Sequence, residues 1–218
     1  MPRHFTPPPV HYCHPDWVMI YRAYDHGFHP DPAVCLWIAV VGKRWIVFKE
    51  MQWTRTIVSD IAKDILEASK DMRVITTYAD PTIGIQSGAD INTIKDRLEA
   101  CGVPIELSVN NREQFANAIH EALGTEIEPG VPRIQFLKSG CPKLIKYLPL
   151  MTYQQNAPSK LADHKHDHLP VALAYFLMSH IPTSSPKATS TVPWYWRAGY
   201  KPQETGRKVL GSGNVRQK

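Results

Sequence analysis

A chain of 218 residues, 43% of them hydrophobic, is long enough for one domain with a full core and too apolar in its middle to be disordered. No apolar run reaches the roughly 18 residues of a membrane span, and the opening MPRHFTPPPVHYCHP lacks the apolar stretch of a signal peptide. The net charge of +5 is unevenly placed: seven of the 25 Lys/Arg lie from Ser184 onward, against one of the 20 Asp/Glu, so overall basicity does not argue that the body binds nucleic acid.

Residues 1–15 read as an extended, Pro-rich lead-in, residues 16–182 as the folded domain and residues 183–218 as a basic Pro/Ser-rich tail with an aromatic island at Trp194-Tyr195-Trp196. Trp17–Ala23 is a short β-prone run that stops at Asp25-His26-Gly27. Ala33–Val41 is almost wholly apolar, as a central strand covered on both faces would be, and Gly42-Lys43 turns it back into Arg44–Glu50. The period then changes. Ile57, Ile61, Ile65, Leu66 and Ala68 fall at helical spacing within Thr56–Met72, with Asp60, Lys63 and Asp64 facing out. Val74–Ala79 is a strand ending at Asp80-Pro81, and Ile91–Cys101 a helix with Asp90 as N-cap and Gly102 at its end. Ile105–Val109 is a strand, Arg112–Leu123 a helix capped by Asn110 or Asn111, and Arg133–Leu137 a strand. Cys141–Met151 is a helix with Pro142 in its first turn, Tyr153–Lys165 is polar and irregular, and Asp167–His180 is an apolar helix.

The resulting order, β-β-β-α-β-α-β-α-β-α-α, is that of an RNase H-like mixed α/β sheet flanked by helices. A doubly wound sheet would alternate from the start and carry G-x-G-x-x-G after its first strand, which this chain lacks. Cys13, Cys35, Cys101 and Cys141 form no C-x-x-C pair, which argues against a zinc ribbon or a disulfide framework and for a reducing, cytosolic compartment.

Three acids stand at element ends: Asp25 closes the first strand, Asp80 the fourth, and Asp167 opens the last helix. Element ends are where an α/β sheet displays chemistry. Converging carboxylates are hard oxygen ligands for Mg²⁺ or Mn²⁺, and two such ions roughly 3.5–4 Å apart hydrolyse a phosphodiester. Taken singly, each acid also suits a plain turn, strand terminator or helix cap.

The runs PDWVMIYRAYDHGFHPDP, YADPTIG, GVPIELSVNNREQFANAIHEAL, SGCPKLIKYLPLMTYQ and DHKHDHLPVALAYFLM, from about Pro15 to Ile181, resemble the nuclease domain of phage large terminase subunits. The resemblance implies an RNase H-like endonuclease that cuts concatemeric double-stranded DNA with two divalent metals during viral genome packaging. It also implies Asp25, Asp80 and Asp167 as catalytic metal ligands, with His168 or Asp163 as sharers of the third position. Two departures stand out: His26 where the family often has Trp, and Val171 where it often has a second Asp. Implied partners are an ATPase domain, the portal or procapsid and the small terminase subunit, in the host cytoplasm. The chain itself has no G-x-x-x-x-G-K-[ST] loop, so no ATP hydrolysis is expected.

For DNA, the phosphate-contacting candidates are Lys160, Lys165 and Lys143, with Arg112 at a helix start. A solvated helix face explains Lys138, Lys143 and Lys146 almost as well, so the loop lysines Lys160 and Lys165 are the better candidates. His164, His166 and His168 alternate like a zinc site, but with no cysteine near them a solvated loop explains the pattern better. Two other functions fit the same order: another RNase H-like nuclease of junction-resolvase or transposase type, and a DNA-binding or assembly module that has lost the chemistry.

Overall fold

The structure, a computed structural model, describes residues 18–86, 91–151, 153–154, 157–161 and 166–180. The lead-in, the basic tail, Asp90, Asp163, His164, Lys165 and the side chains of Arg112 and Lys160 lie outside the described residues.

Strands β1 (Val18–Asp25), β2 (Ala33–Val41) and β3 (Arg44–Trp53) form an antiparallel meander. The unbroken apolar run of β2 is buried at all but its last position, as a central strand between two helical layers requires. Val41 pairs with Arg44, so Gly42 and Lys43 alone make the turn. Gly42 has φ +60°, the left-handed conformation such two-residue loops demand.

Strand β4 (Val74–Ala79) pairs with β1 in parallel, and β5 (Ile105–Leu107) with β4. After a separate short hairpin of β6 (Glu126–Glu128) and β7 (Val131–Pro132), β8 (Ile134–Phe136) runs parallel to β3. The sheet order is β5-β4-β1-β2-β3-β8, the mixed arrangement expected. Ile20, Tyr24, Cys35 and Trp37 point to one face, against α1 (Val58–Ala68) and α2 (Ile94–Ala100). Tyr21, Ala23, Leu36 and Ile38 alternate to the other, beneath α3 (Arg112–Gly124), α4 (Pro142–Tyr147) and α5 (His168–His180). Helix α5 is buried from Leu169 through Met178, on all sides, so it lies within the core rather than on it.

Several boundaries differ from the sequence expectation. Helix α1 starts at Val58 with Ile57 as an exposed N-cap, and Leu66 faces out; the buried stripe is Ile61, Ala62 and Ile65 alone. Helix α2 starts three residues later than expected. Thr93 and Asp96 form a reciprocal capping box there, which outcompetes a start at Ile91, itself 80% exposed. The Cys141–Met151 helix is α4 followed by a 3-10 turn at Leu148–Leu150, because Pro149 removes a backbone donor. Within the stretch read as irregular, β9 (Tyr153–Gln154) and β10 (Ala157–Leu161) pair as a hairpin. Such short strands carry too little alternation to stand out in a sequence.

Long-range contacts seat α4 against β3. Both oxygens of Glu50 accept helix-start amides, from Lys143 and Leu144, each at 2.8 Å. Gly140 passes so close to the Phe48 carbonyl, at a bulge in β3, that a β-carbon there would lie 1.8 Å from that oxygen.

Candidate active site

The parallel register places Tyr24 of β1 beside Ala79 of β4, so the next residues, Asp25 and Asp80, end neighbouring strands side by side. Strand neighbours lie about 4.8 Å apart. Ala23 and Tyr78 pack in the core under α5, and period-two alternation puts Asp25 and Asp80 on that same face. Asp167 stands immediately before α5, and its carbonyl accepts the Val171 amide at 2.8 Å, making the first bond of the helix. The three acids taken from the sequence thus come to one end of the sheet, beneath the start of α5.

His168 links them. Its Nδ1 lies 2.8 Å from Asp25 Oδ2, while its Nε2 faces Asp31 at 3.6 Å and Asp167 Oδ1 at 4.0 Å. The hydrogen bond to Asp25 holds the His168 pKa above its ordinary value. Asp25 is 8% exposed. Burial pushes its carboxyl up against the opposing pull of His168, and the charges of Asp80 and Asp167 push it further. Two neighbouring carboxylates that each disfavour the charge on Asp25 make a site in need of positive charge.

Asp80 is held from three directions. Thr82 N donates to Oδ1 at 2.7 Å from the 3-10 turn that Asp80 caps, and Asn110 Nδ2 stands 3.4 Å from both oxygens. The Tyr175 hydroxyl donates to Oδ2 at 2.5 Å from α5.

The loop between β1 and β2 explains the glycine of Asp25-His26-Gly27. A β-carbon on Gly27 would lie 2.6 Å from the carbonyl oxygens of both Asp31 and Pro32, so the loop folds over it and returns Asp31 to His168. His26, the departure from the family pattern, turns away from the acids: its Nδ1 bonds the Tyr24 hydroxyl at 2.6 Å, and burial lowers its pKa. His29 bonds Arg55 at 3.1 Å. Val171 is buried in the core, which gives the other departure a packing role.

Of the other candidates, Lys143 sits in line with the acids. Asp25 pairs with Val34 and Val34 with Gln52, and Lys143 Nζ donates to Gln52 Oε1 at 2.7 Å. Asn111 rather than Asn110 caps α3, accepting from Glu113 N at 3.2 Å, with Arg112 as its first residue. His166 stacks on Tyr147 with ring centroids 4.4 Å apart, while His168 bonds Asp25, so these two histidines serve separate contacts. Sequence reasoning missed Asp31, Asn110 as a partner of Asp80, and Tyr175. Asp31 sits in a Pro-flanked turn and Tyr175 in an apolar helix, where neither residue type stands out.

The donor chemistry of Asp25, Asp80 and Asp167 fits a hard divalent cation. Among the described residues, no group of three or more His, Cys, Asp or Glu side chains is already arranged to hold a metal ion. Asp25 and Asp80 are instead closed onto His168 and Tyr175.

Residues 22–180 match the family described as Terminase RNaseH-like domain. The fold is similar to that of the large terminase of a thermophilic bacteriophage, with a TM-score of 0.63 at 14% identity, covering 82% of this chain and 42% of that one. It is also similar to the large terminase nuclease domain of bacteriophage SPP1 with bound Mn, with a TM-score of 0.54 at 16% identity, covering 73% and 85%. The P22 large terminase nuclease domain gives a TM-score of 0.58 at 11% identity, covering 76% and 82%. The chain therefore spans less than half the length of the thermophilic phage protein and most of the length of the two nuclease domains. No curated protein matches it by sequence.

Proposed function

The chain belongs to the terminase RNase H-like domain family, and from that premise we propose that it is a divalent-metal-dependent endonuclease that cuts double-stranded DNA during viral genome packaging. The observation that carries this reading is the parallel register that sets Asp25 beside Asp80, with Asp167 and His168 closing the same sheet end.

Asp25, Asp80 and Asp167 would hold two Mg²⁺ or Mn²⁺ ions, with His168 or Asp163 sharing the third position. When bound, the ions supply the Lewis acidity that makes water a nucleophile at neutral pH and offsets charge on the leaving 3′ oxygen. The chain's own groups then position and balance charge. His168 Nδ1 bonds Asp25 Oδ2 and would hold that carboxylate in place for a cation. Lys143, bonded to Gln52 two strands across the sheet from Asp25, would hold a phosphate near the cut. Lys160, Lys165 and Arg112 would add contacts of the same sequence-independent kind.

In the packaging motor the domain would work with an ATPase domain, the portal or procapsid and the small terminase subunit, in the host cytoplasm. Among the described residues no helix is long and apolar enough to cross a membrane.

The test is cleavage of plasmid DNA with Mn²⁺ or Mg²⁺ by the parent, Asp25→Asn and Asp80→Asn. The parent cuts, and each variant loses at least about 100-fold of the rate, the several kcal/mol such a site contributes to the transition state. Variants that cut like the parent would end the reading. A second reading, a DNA-binding or assembly module without the chemistry, draws on the closure of Asp25 and Asp80 onto His168 and Tyr175. It requires that titration calorimetry find no Mn²⁺ binding that depends on Asp25. A strong preference for four-way junctions over linear duplex would instead favour a resolvase.

A further inference from the structure

Helix α5 addresses the paired carboxylates twice. His168 and Tyr175 are seven residues apart, two helical turns, and so share one face; the first bonds Asp25 and the second Asp80. Tyr175 is 1% exposed and its ring meets Phe115 edge-on with centroids 5.4 Å apart. Its backbone carbonyl accepts the Ser108 hydroxyl at 2.8 Å, and Ser108 N in turn donates to the Ala79 carbonyl at 2.8 Å, one residue before Asp80. The phenol is therefore fixed in space by packing and by a serine that ties its helix to the strand carrying its target.

We propose that Tyr175 is a positioning residue for metal binding. Its hydroxyl fixes the plane of the Asp80 carboxylate, so that a divalent cation meets a preset ligand rather than a rotating one. This rests on the metal-site reading above. With Oδ2 held by the phenol and Oδ1 by the Thr82 amide, the carboxylate has no free rotation left. Hydrogen-bond donors to a ligand carboxylate tune affinity in this way, and their loss weakens metal binding about 10–100-fold. Substitution by phenylalanine removes only the oxygen and keeps the contact with Phe115.

The experiment is calorimetric titration of Mn²⁺ alone into the full chain, for the parent, Tyr175→Phe, Asp80→Asn and the double variant, with thermal unfolding in EDTA alongside. Tyr175→Phe should melt within a few degrees of the parent, bind Mn²⁺ at least about tenfold more weakly, and need correspondingly more Mn²⁺ for half-maximal plasmid cutting. Its rate at saturating Mn²⁺ should stay within about threefold of the parent's, since an acidic ligand is still present. In the Asp80→Asn background the same substitution should change nothing, because it acts through that carboxylate. Unchanged Mn²⁺ affinity in Tyr175→Phe, an equal loss in both backgrounds, or failure of Tyr175→Phe to fold would each overturn the proposal, the last two by showing a purely structural role. A parent that binds no Mn²⁺ would instead overturn the metal-site reading, and this proposal with it.

Discussion

Strand β1 buries a charge on each of its faces, and the two are handled in opposite ways. Arg22, 1% exposed, points to the α1 face, where Nε donates to Thr77 Oγ1 at 2.9 Å and Nη1 to Ser69 Oγ at 3.2 Å. Ser69 Oγ also accepts the Trp37 indole at 2.9 Å and donates to the Ile65 carbonyl at 2.6 Å, which fills its lone pairs and uses its proton. These partners are neutral, and burial alone lowers the guanidinium pKa. Asp25, three residues on and on the α5 face, is set instead among Asp80, Asp167 and an ionisable histidine. One arrangement is complete as it stands; the other gathers like charges and is balanced only by a proton or a cation. Buried charge by itself therefore does not mark a functional site, and buried charge beside more of the same sign is the stronger candidate.

Substitutions at the two sites should separate activity from stability. The largest effect is at Asp25→Asn: plasmid cutting falls at least about 100-fold, while the melting temperature in EDTA holds or rises because a repelled carboxylate is gone. A large drop in melting temperature would show that Asp25 is as structural as Arg22. Ser69→Ala should do the reverse. Leaving Arg22 and Trp37 without their shared acceptor costs about 3 kcal/mol, read as a fall of about 6–12 °C in melting temperature, with cutting per folded molecule unchanged. Gly27→Ala touches neither charge but forces the Asp31 and Pro32 carbonyls aside; the expected loss is about tenfold in cutting with little change in melting temperature, and an unaltered rate would remove Asp31 and its loop from the site.

The smallest effect concerns pH. His180, at the far end of α5, stacks on Phe176 at 4.2 Å and meets Tyr21 edge-on at 4.4 Å; burial pushes its pKa down from 6.5 to about 4. A base whose folded pKa lies below its unfolded one keeps its full contribution above pH 6.5 and loses it as pH falls toward 4. His180→Leu should therefore flatten the fall in melting temperature across that window, and a slope unchanged from the parent would show that acid sensitivity arises elsewhere.

The sheet was legible because burial writes itself into composition. The apolar run Ala33–Val41 suits a strand covered on both sides, and the change of period from Thr56 suits a helix, which forms from Val58. The positions of Asp25 and Asp80 at strand ends were legible for a related reason: each is a charged residue directly after a run of strand-forming ones. Periodicity, however, reports how deeply a position is buried and not which atom it meets. Tyr175 reads as one more core residue of α5, and its hydroxyl contact joins residues 95 apart in sequence. Asp31 reads as a turn acid because the glycine contact that folds its loop back is invisible in the string of letters. Apolar spacing misplaces the start of α2, where local capping chemistry at Thr93 and Asp96 decides the matter.

The separation between the acids and the helix that answers them has a consequence for the newly made protein. His168 lies 143 residues beyond Asp25, and at about 5–20 residues per second the ribosome takes about 7–30 s to span that interval. Throughout it both strand-end carboxylates lack their α5 partners, His168 and Tyr175. The cluster is complete only once α5 has been made, and a chain ending before His168 would hold Asp25 and Asp80 without either of these partners.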